Sequence, residues 1–243
     1  MMQITENRSV HVDVTLVISA SSAMETAWQR LAATESDALL MDHLGMVARA
    51  VGGGQAVSRV RVIACRDATM DEQPFDVSPF YAMPQELPAL RSFAGRVRLT
   101  AGLRKRSTME GIMRARSGSW TQAALHRHVV VVVTDCGAYL PQEAILRADP
   151  GYAALLRRFL PENMPPTLDS LAACWRYRTG TIDPENSLLL ILSPDIAPWN
   201  ELPAMPRMRW LRCHTESIQQ CDPFRLLAAN IDTIRQGGSR CGR

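Results

Sequence analysis

Short apolar runs alternate with stretches of helical period along almost the whole chain. Runs of strand length fall at residues 10–18, 58–66, 75–80, 128–134, 187–193 and 208–213. Four of them are nearly continuous in Val, Ile and Leu, the pattern of strands buried on both faces of a parallel sheet. The third run carries Pro74 and Pro79 at its ends, which suits an edge strand in a hairpin, where a missing backbone donor breaks no ladder. Between the first two runs, Met24, Ala27, Trp28, Leu31, Leu40, Leu44, Val47 and Val51 recur at helical spacing, and Gly52-Gly53-Gly54 marks the stop. Further helices are predicted over 84–95, 107–116, 119–125, 151–160, 166–178 and 223–236. The last begins with Asp222 as cap and Pro223 at the first helical position, and ends at Gly237-Gly238.

This alternation predicts an α/β fold: a doubly wound, mostly parallel six-stranded sheet with helices on both faces, joined by right-handed crossovers. Ligands in such sheets bind beyond the carboxyl ends of the strands, where strand order reverses. The 243 residues fit a single domain. A helical insertion is expected at about 141–186, a stretch long for one crossover, and a flexible tail from about 237.

Composition narrows the class. With 47% hydrophobic and 21% charged residues, a mostly disordered chain is excluded. The longest apolar run, Val129 to Val133, is far short of the ~18 residues of a membrane span. Residues 1–8 hold no apolar segment ahead of a cleavage site, so no secretory signal is expected. Six cysteines without a Cys-x-x-Cys pair read as reduced thiols of a cytoplasmic protein. The net charge of +3 is dispersed, and its one basic run, Arg104-Lys105-Arg106, reads as a solvated loop rather than a nucleic-acid contact.

Three segments carry candidate chemistry. The first strand runs into Ser19-Ala20-Ser21-Ser22-Ala23-Met24, Ser107-Thr108-Met109-Glu110-Gly111-Ile112 opens a helix, and Val133 leads into Thr134-Asp135-Cys136-Gly137. By themselves the serines make a tight turn and cap a helix, and Thr108 caps another. Together the segments resemble the metal-ion-dependent adhesion site of von Willebrand factor A domains. In that family an Asp-x-Ser-x-Ser loop, a Thr at a helix start and a Thr-Asp-Gly strand end hold a divalent cation. Ser19 stands at the Asp position, Ser21 at the first Ser and Ala23 at the second, with Thr108 and Asp135 at the others. The resemblance therefore implies a degenerate site. A hard ion such as Mg²⁺ or Mn²⁺ takes oxygen ligands that include one or two carboxylates. Asp135 alone remains, so the site is expected to be empty and no cofactor is expected, unless Ser22 or Glu25 restores the lost ligands.

The resemblance implies a non-catalytic protein-interaction module of a bacterial multiprotein system, with an AAA+ ATPase or a stress or conflict operon as its setting. Its binding face is expected to comprise Ser22, Met24, Thr108, Asp135, Tyr139 and Leu140. The competing reading is a Rossmann-like hydrolase using Asp135 or Cys136 near the Ser19–Ser22 loop, and a third is a structural spacer whose interface is the insertion. His126 and His128 sit at the opposite end of their strand from Cys136, roughly 25 to 30 Å away at ~3.3 Å per residue, so they cannot pair with it. His11, His43 and His214 are isolated. The glycine triplet lacks the Gly-Lys-Ser/Thr ending of a phosphate loop. Met109, Met113, Met205 and Met208 read as core filler.

Overall fold

The structure is a computed structural model and describes residues 9–33, 41, 42, 55–101, 105–123, 125–140, 150, 151, 154, 158, 168–176, 182, 184–203, 207–223, 225 and 226. Its strands are β1 (Ser9–Ser19), β2 (Gln55–Cys65), β3 (Phe75–Val77), β4 (Tyr81–Met83), β5 (Lys105–Arg106), β6 (His126–Val133), β7 (Gly137–Ala138), β8 (Ser187–Ser193) and β9 (Met208–Arg212). The main sheet has the order β3-β2-β1-β6-β8-β9, with β4 also pairing β2. The ladders β2-β1, β1-β6, β6-β8 and β8-β9 are parallel, whereas β3 and β4 run antiparallel to β2. The predicted fold class and all six predicted strands are present.

Of the edge run at 75–80 only Phe75–Val77 is strand, and a second short strand follows it at Tyr81–Met83. Ser78 separates them by taking both hydrogen bonds of Val62: its N–H donates to the Val62 carbonyl, and its hydroxyl accepts from the Val62 N–H, each at 2.9 Å. Strand order reverses at β1, which has β2 on one side and β6 on the other. The carboxyl ends of β1 and β6 therefore flank the switch point where ligands of open sheets bind.

Helices α1 (Glu25–Ala32), α2 (Leu87–Ala94), α3 (Thr108–Arg116), α4 (Leu168–Arg176) and α5 (Thr215–Gln219) cover both faces. Val10, Val12, Val14, Leu16 and Ile18 of β1 pack with Trp28, Leu31, Leu90 and Ile218 on one face. Val17, Ile63, Val130, Val132 and Ile191 pack with Ile112, Met113, Leu171 and Trp175 on the other. Alternating residues of one strand thus serve two cores, as the period of a strand requires. Met109 and Met113 are buried as expected, and Met208 lies partly buried against the second core. At Gly111 a Cβ would stand 2.5 Å from Cys65 Sγ and 2.8 Å from Val17 Cγ1, so glycine is what lets α3 lie against β1 and β2.

The amino half of the second face is polar. Arg59 grips Asp13 with two hydrogen bonds, at 2.9 and 2.6 Å, and Arg61 Nε donates to Thr15 Oγ1 at 2.9 Å. Arg61 is buried, with its guanidinium 4.6 Å from the Phe80 ring centre and 5.4 Å from that of Trp120. Burial, with the charge of Arg114, pulls its pKa down to about 10. Burial pushes the Asp13 carboxyl up, but hydrogen bonds from Arg59 and Thr121 and the Arg59 charge together hold it below its ordinary value.

The predicted helix at 119–125 is a correction, since residues 119–123 form no helix. Their peptide groups are claimed by side chains: Thr121 N–H donates to Asp13 at 2.7 Å, Thr121 O lies 2.9 Å from His128 Nε2, and Ala123 O lies 2.6 Å from His126 Nδ1. Trp120 turns into the core and donates to the Ala115 carbonyl at 2.9 Å. Groups satisfied in this way have no need of a helical ladder. Asp222 caps as predicted, its carboxylate accepting from Arg225 N–H at 3.4 Å and its carbonyl from Leu226 N–H at 3.0 Å. Leu40, Leu44, Val47, Val51, the glycine triplet, His43, Arg104, Met205, most of 151–160, of 223–236 and of the expected insertion, and the tail lie outside the described residues.

Candidate functional site

β1 ends at Ser19, which is fully buried. Its hydroxyl lies 2.8 Å from Thr134 Oγ1, and its carbonyl accepts from Trp28 Nε1 at 2.9 Å. Thr134 Oγ1 also lies 3.1 Å from the Cys136 carbonyl and donates there, so in the first contact the Ser19 hydroxyl is the donor. The chain then turns. Ser21 caps the turn by accepting from Met24 N–H at 3.2 Å, and its own hydroxyl donates to Asp135 Oδ2 at 2.9 Å. The same turn is clamped from outside the sheet, where Ser22 N–H donates to Thr100 O at 3.0 Å and Thr100 N–H to Ala20 O at 2.9 Å.

A second, two-stranded sheet completes this end of the molecule. β5 and β7 run parallel, with Arg106 opposite Ala138, so the start of α3 is tied to the loop that carries Asp135. Ser107 Oγ accepts from Ala68 N–H at 2.9 Å, fastening that start to the end of β2. Thr108 opens α3 and is fully buried. Thr108 Oγ1 and Asp135 Oδ1 are buried oxygens without a hydrogen bond.

Ser19, Ser21, Thr108 and Asp135 thus share the carboxyl end of the sheet, and two of the links between loops, Ser19 to Thr134 and Ser21 to Asp135, are direct. Ser22 and Ala23 are exposed on the rim. Glu25 is exposed too, its carboxylate accepting from Gln29 one turn along α1. Met24 is a correction: it is fully buried in the first core and offers nothing to a partner. Thr108 is likewise fully buried and contributes no exposed surface. Tyr139 and Leu140 are half-buried; the Tyr139 hydroxyl donates to Asp67 Oδ2 at 3.2 Å, and Leu140 leans on the second core.

Burial, with the charge of Asp135 next to it, pushes the Cys136 thiol up to about 12. Burial and then Glu110 push Cys65 well up. His126 and His128 begin β6, at the far end from Cys136, as expected. Among the described residues no three His, Cys, Asp or Glu side chains converge as metal ligands.

No family model matches the chain, and no curated protein matches it in sequence. Solved structures do match in fold. The pilus adhesin SpaC from Lactobacillus rhamnosus GG, in its open conformation, aligns over 94% of this chain and 30% of its own, with 11% identity and a TM-score of 0.50. A von Willebrand factor type A protein from Catenulispora acidiphila aligns over 92% and 43%, with 13% identity and a TM-score of 0.43. The fold shared with the matched part of SpaC is the doubly wound, mostly parallel sheet with helices on both faces. The PilB minor pilin from Streptococcus sanguinis aligns over 95% of this chain and 62% of its own, with 9% identity and a TM-score of 0.45. The chain spans less than two thirds of the length of each.

Within this fold, two residues at the site escape sequence reasoning. Asp67, just past the end of β2, is 2% exposed; it accepts from Thr69 N–H and Oγ1 at 2.8 and 2.6 Å and from Tyr139. Its signal was a charged pair, Arg66-Asp67, at the carboxyl end of an apolar strand. Arg106, from the basic run read as a solvated loop, is fully buried. Beside them opens a cleft of about 870 Å³, lined by Arg66, Asp67, Asp71, Asp76, Arg98 and Thr100 among others. Arg66 is braced there by Asp76 at 2.6 Å and Asp71 at 3.0 Å.

Proposed function

We propose that this chain is a non-catalytic protein-interaction module that docks its partner through the loops at the carboxyl end of the sheet, without a bound metal ion. The observation that carries the reading is the Ser21–Asp135 hydrogen bond at 2.9 Å. It fixes two loops from distant parts of the chain into one preformed face, with Ser22 and Ala23 exposed on it and Tyr139 and Leu140 half-exposed beside them. A rigid face with apolar area next to a charged cleft suits protein recognition, because little ordering is lost on binding. The fold shared with a pilus adhesin supports a binding role. Metal-free docking is supported by the ligand positions, where Asp135 is the sole carboxylate. The partner class first to be tested is an AAA+ ATPase of a bacterial multiprotein system.

The hydrolase reading gains nothing from the site. A Cys136 thiol with a pKa of about 12 is a poor nucleophile at neutral pH, and the histidines of its strand are at the other end.

A photo-crosslinking residue placed at Ser22 or Tyr139 in the native host tests the assignment, with one at Val57, exposed near the amino end of β2, as reference. One shared partner is expected from the first two positions and none from the third. Crosslinks obtained only from a further probe at Ala173, exposed on α4, would move the interface there and defeat the proposal.

A further inference from the structure

We infer that Arg106 is a built-in cation of the carboxyl-end cluster, supplying from within the chain the positive charge that a divalent ion would bring and so keeping such ions out. Arg106 is fully buried and pairs in β5 opposite Ala138, three residues after Asp135. Its Nη2 reaches the Thr100 carbonyl at 3.4 Å, the same carbonyl that accepts from Ser22 N–H. The guanidinium therefore lies against the Ser21–Ser22 turn, and its charge is felt at the Cys136 thiol beside Asp135.

Its Nε and Nη1 are buried donors with no hydrogen bond, at the same end of the sheet as the two buried oxygens, Thr108 Oγ1 and Asp135 Oδ1, that also have none. A buried charge is unfavourable unless an opposite charge compensates it. Asp135 is the one carboxylate at the family's ligand positions, and Arg106 brings a buried guanidinium to the same end of the sheet. A divalent ion added there would meet a like charge in a poorly screened interior. The donor set thus does not fit such an ion. The same bookkeeping accounts for Ser19 and Ala23: with a cation fixed in the chain, neither the lost carboxylate nor the lost hydroxyl is needed.

The inference deepens the metal-free part of the proposed function, and its test uses no partner, so it stands or falls separately from the docking face. Mn²⁺ is titrated into two variants, Ser19→Asp/Ala23→Ser and the same pair with Arg106→Gln, and free Mn²⁺ is read by electron paramagnetic resonance. The pair alone should leave millimolar Mn²⁺ free, whereas the triple variant should bind it at least about ten-fold more tightly. Equal binding by the two would overturn the inference, as would a triple variant that binds no better than the pair. Should Arg106→Gln fail to fold, Ser19→Asp is compared with Ser19→Asn while Arg106 is retained. With the guanidinium at hand the carboxylate variant should melt no lower than the amide at pH 7. A Tm several degrees lower would mean that no cation compensates position 19.

Discussion

Ser21 donates its hydroxyl to Asp135 Oδ2 at 2.9 Å while accepting from Met24 N–H at 3.2 Å, so a single small side chain closes one turn and fastens it to a loop 114 residues further along. Ser21→Ala deletes both bonds. Loss of the cap and of a hydrogen bond to a charged group should together cost about 2 kcal/mol in urea unfolding. Asp135→Asn should cost less, because the amide oxygen still accepts from Ser21. Equal losses would show that the charge on Asp135, rather than its geometry, holds the loops.

The Tm of the native chain should be indifferent to millimolar Mg²⁺ or Mn²⁺ and to EDTA. An ion that binds only the folded state must raise stability by RT ln(1 + [L]/Kd), so appreciable binding cannot stay hidden. A rise of several degrees, lost on Asp135→Ala, would demonstrate a working metal site.

Thiol chemistry supplies a pH test. Cys65 and Cys136 are pushed above their ordinary value of 9.0 by burial first, Cys136 to about 12. Above pH 9 the unfolded chain releases thiol protons that the folded chain keeps. Stability is therefore full below pH 9 and falls as pH rises, by about 1 kcal/mol for Cys136 at pH 10. Urea midpoints at pH 8 and 10, compared with those of Cys136→Ala, isolate the effect. At pH 8, iodoacetamide should label half-buried Cys213 well before Cys65 or Cys136.

Arg61 is a buried cation held by Thr15, the Ala115 carbonyl and two aromatic rings rather than by a carboxylate. Thr15→Val alone strips it of a partner and should cost about 1 to 3 kcal/mol. Thr15→Val with Arg61→Met removes both polar groups, and Ala115 O keeps its bond from Trp120. Calorimetry should find the double variant at least as stable as the single; a further loss would mean that the guanidinium itself stabilises the sheet.

The strands were readable because runs such as Ser187–Ser193, which match the prediction residue for residue, have no competing pattern. The site loops were readable for a different reason: the order Ser19, Ser21, Thr108, Asp135 follows a motif whose members the topology brings together. Residues 119–125 misled because Gln122, Ala123, Ala124 and Leu125 favour a helix locally, while the groups that unmake it, Asp13 and His128, come from β1 and β6. Met24 belongs to the same inward stripe as Ala27, Trp28 and Leu31, so the helical period gave its burial and the motif argument misplaced it. Arg106 had no such signal, because whether an Arg in a short basic run is solvated or enclosed depends on what folds over it.

The strands β1 and β2 lie in a parallel ladder with Asp13 opposite Arg59 and Thr15 opposite Arg61. Elsewhere both are runs of small branched side chains that would pack about as well after sliding by two residues. Slid one way, Asp13 would face Val57 and Arg61 would face Val17; slid the other, Asp13 would face Arg61, and Arg59 would face His11. The first misalignment strands Asp13 and Arg61 in the interior, which is far more unfavourable than a poor hydrocarbon contact, and the second takes Arg59 from its carboxylate and Arg61 from its hydroxyl. The polar pairs act as an index mark between otherwise interchangeable strands, and so set where β1 ends relative to its neighbours and where Ser19 comes to rest.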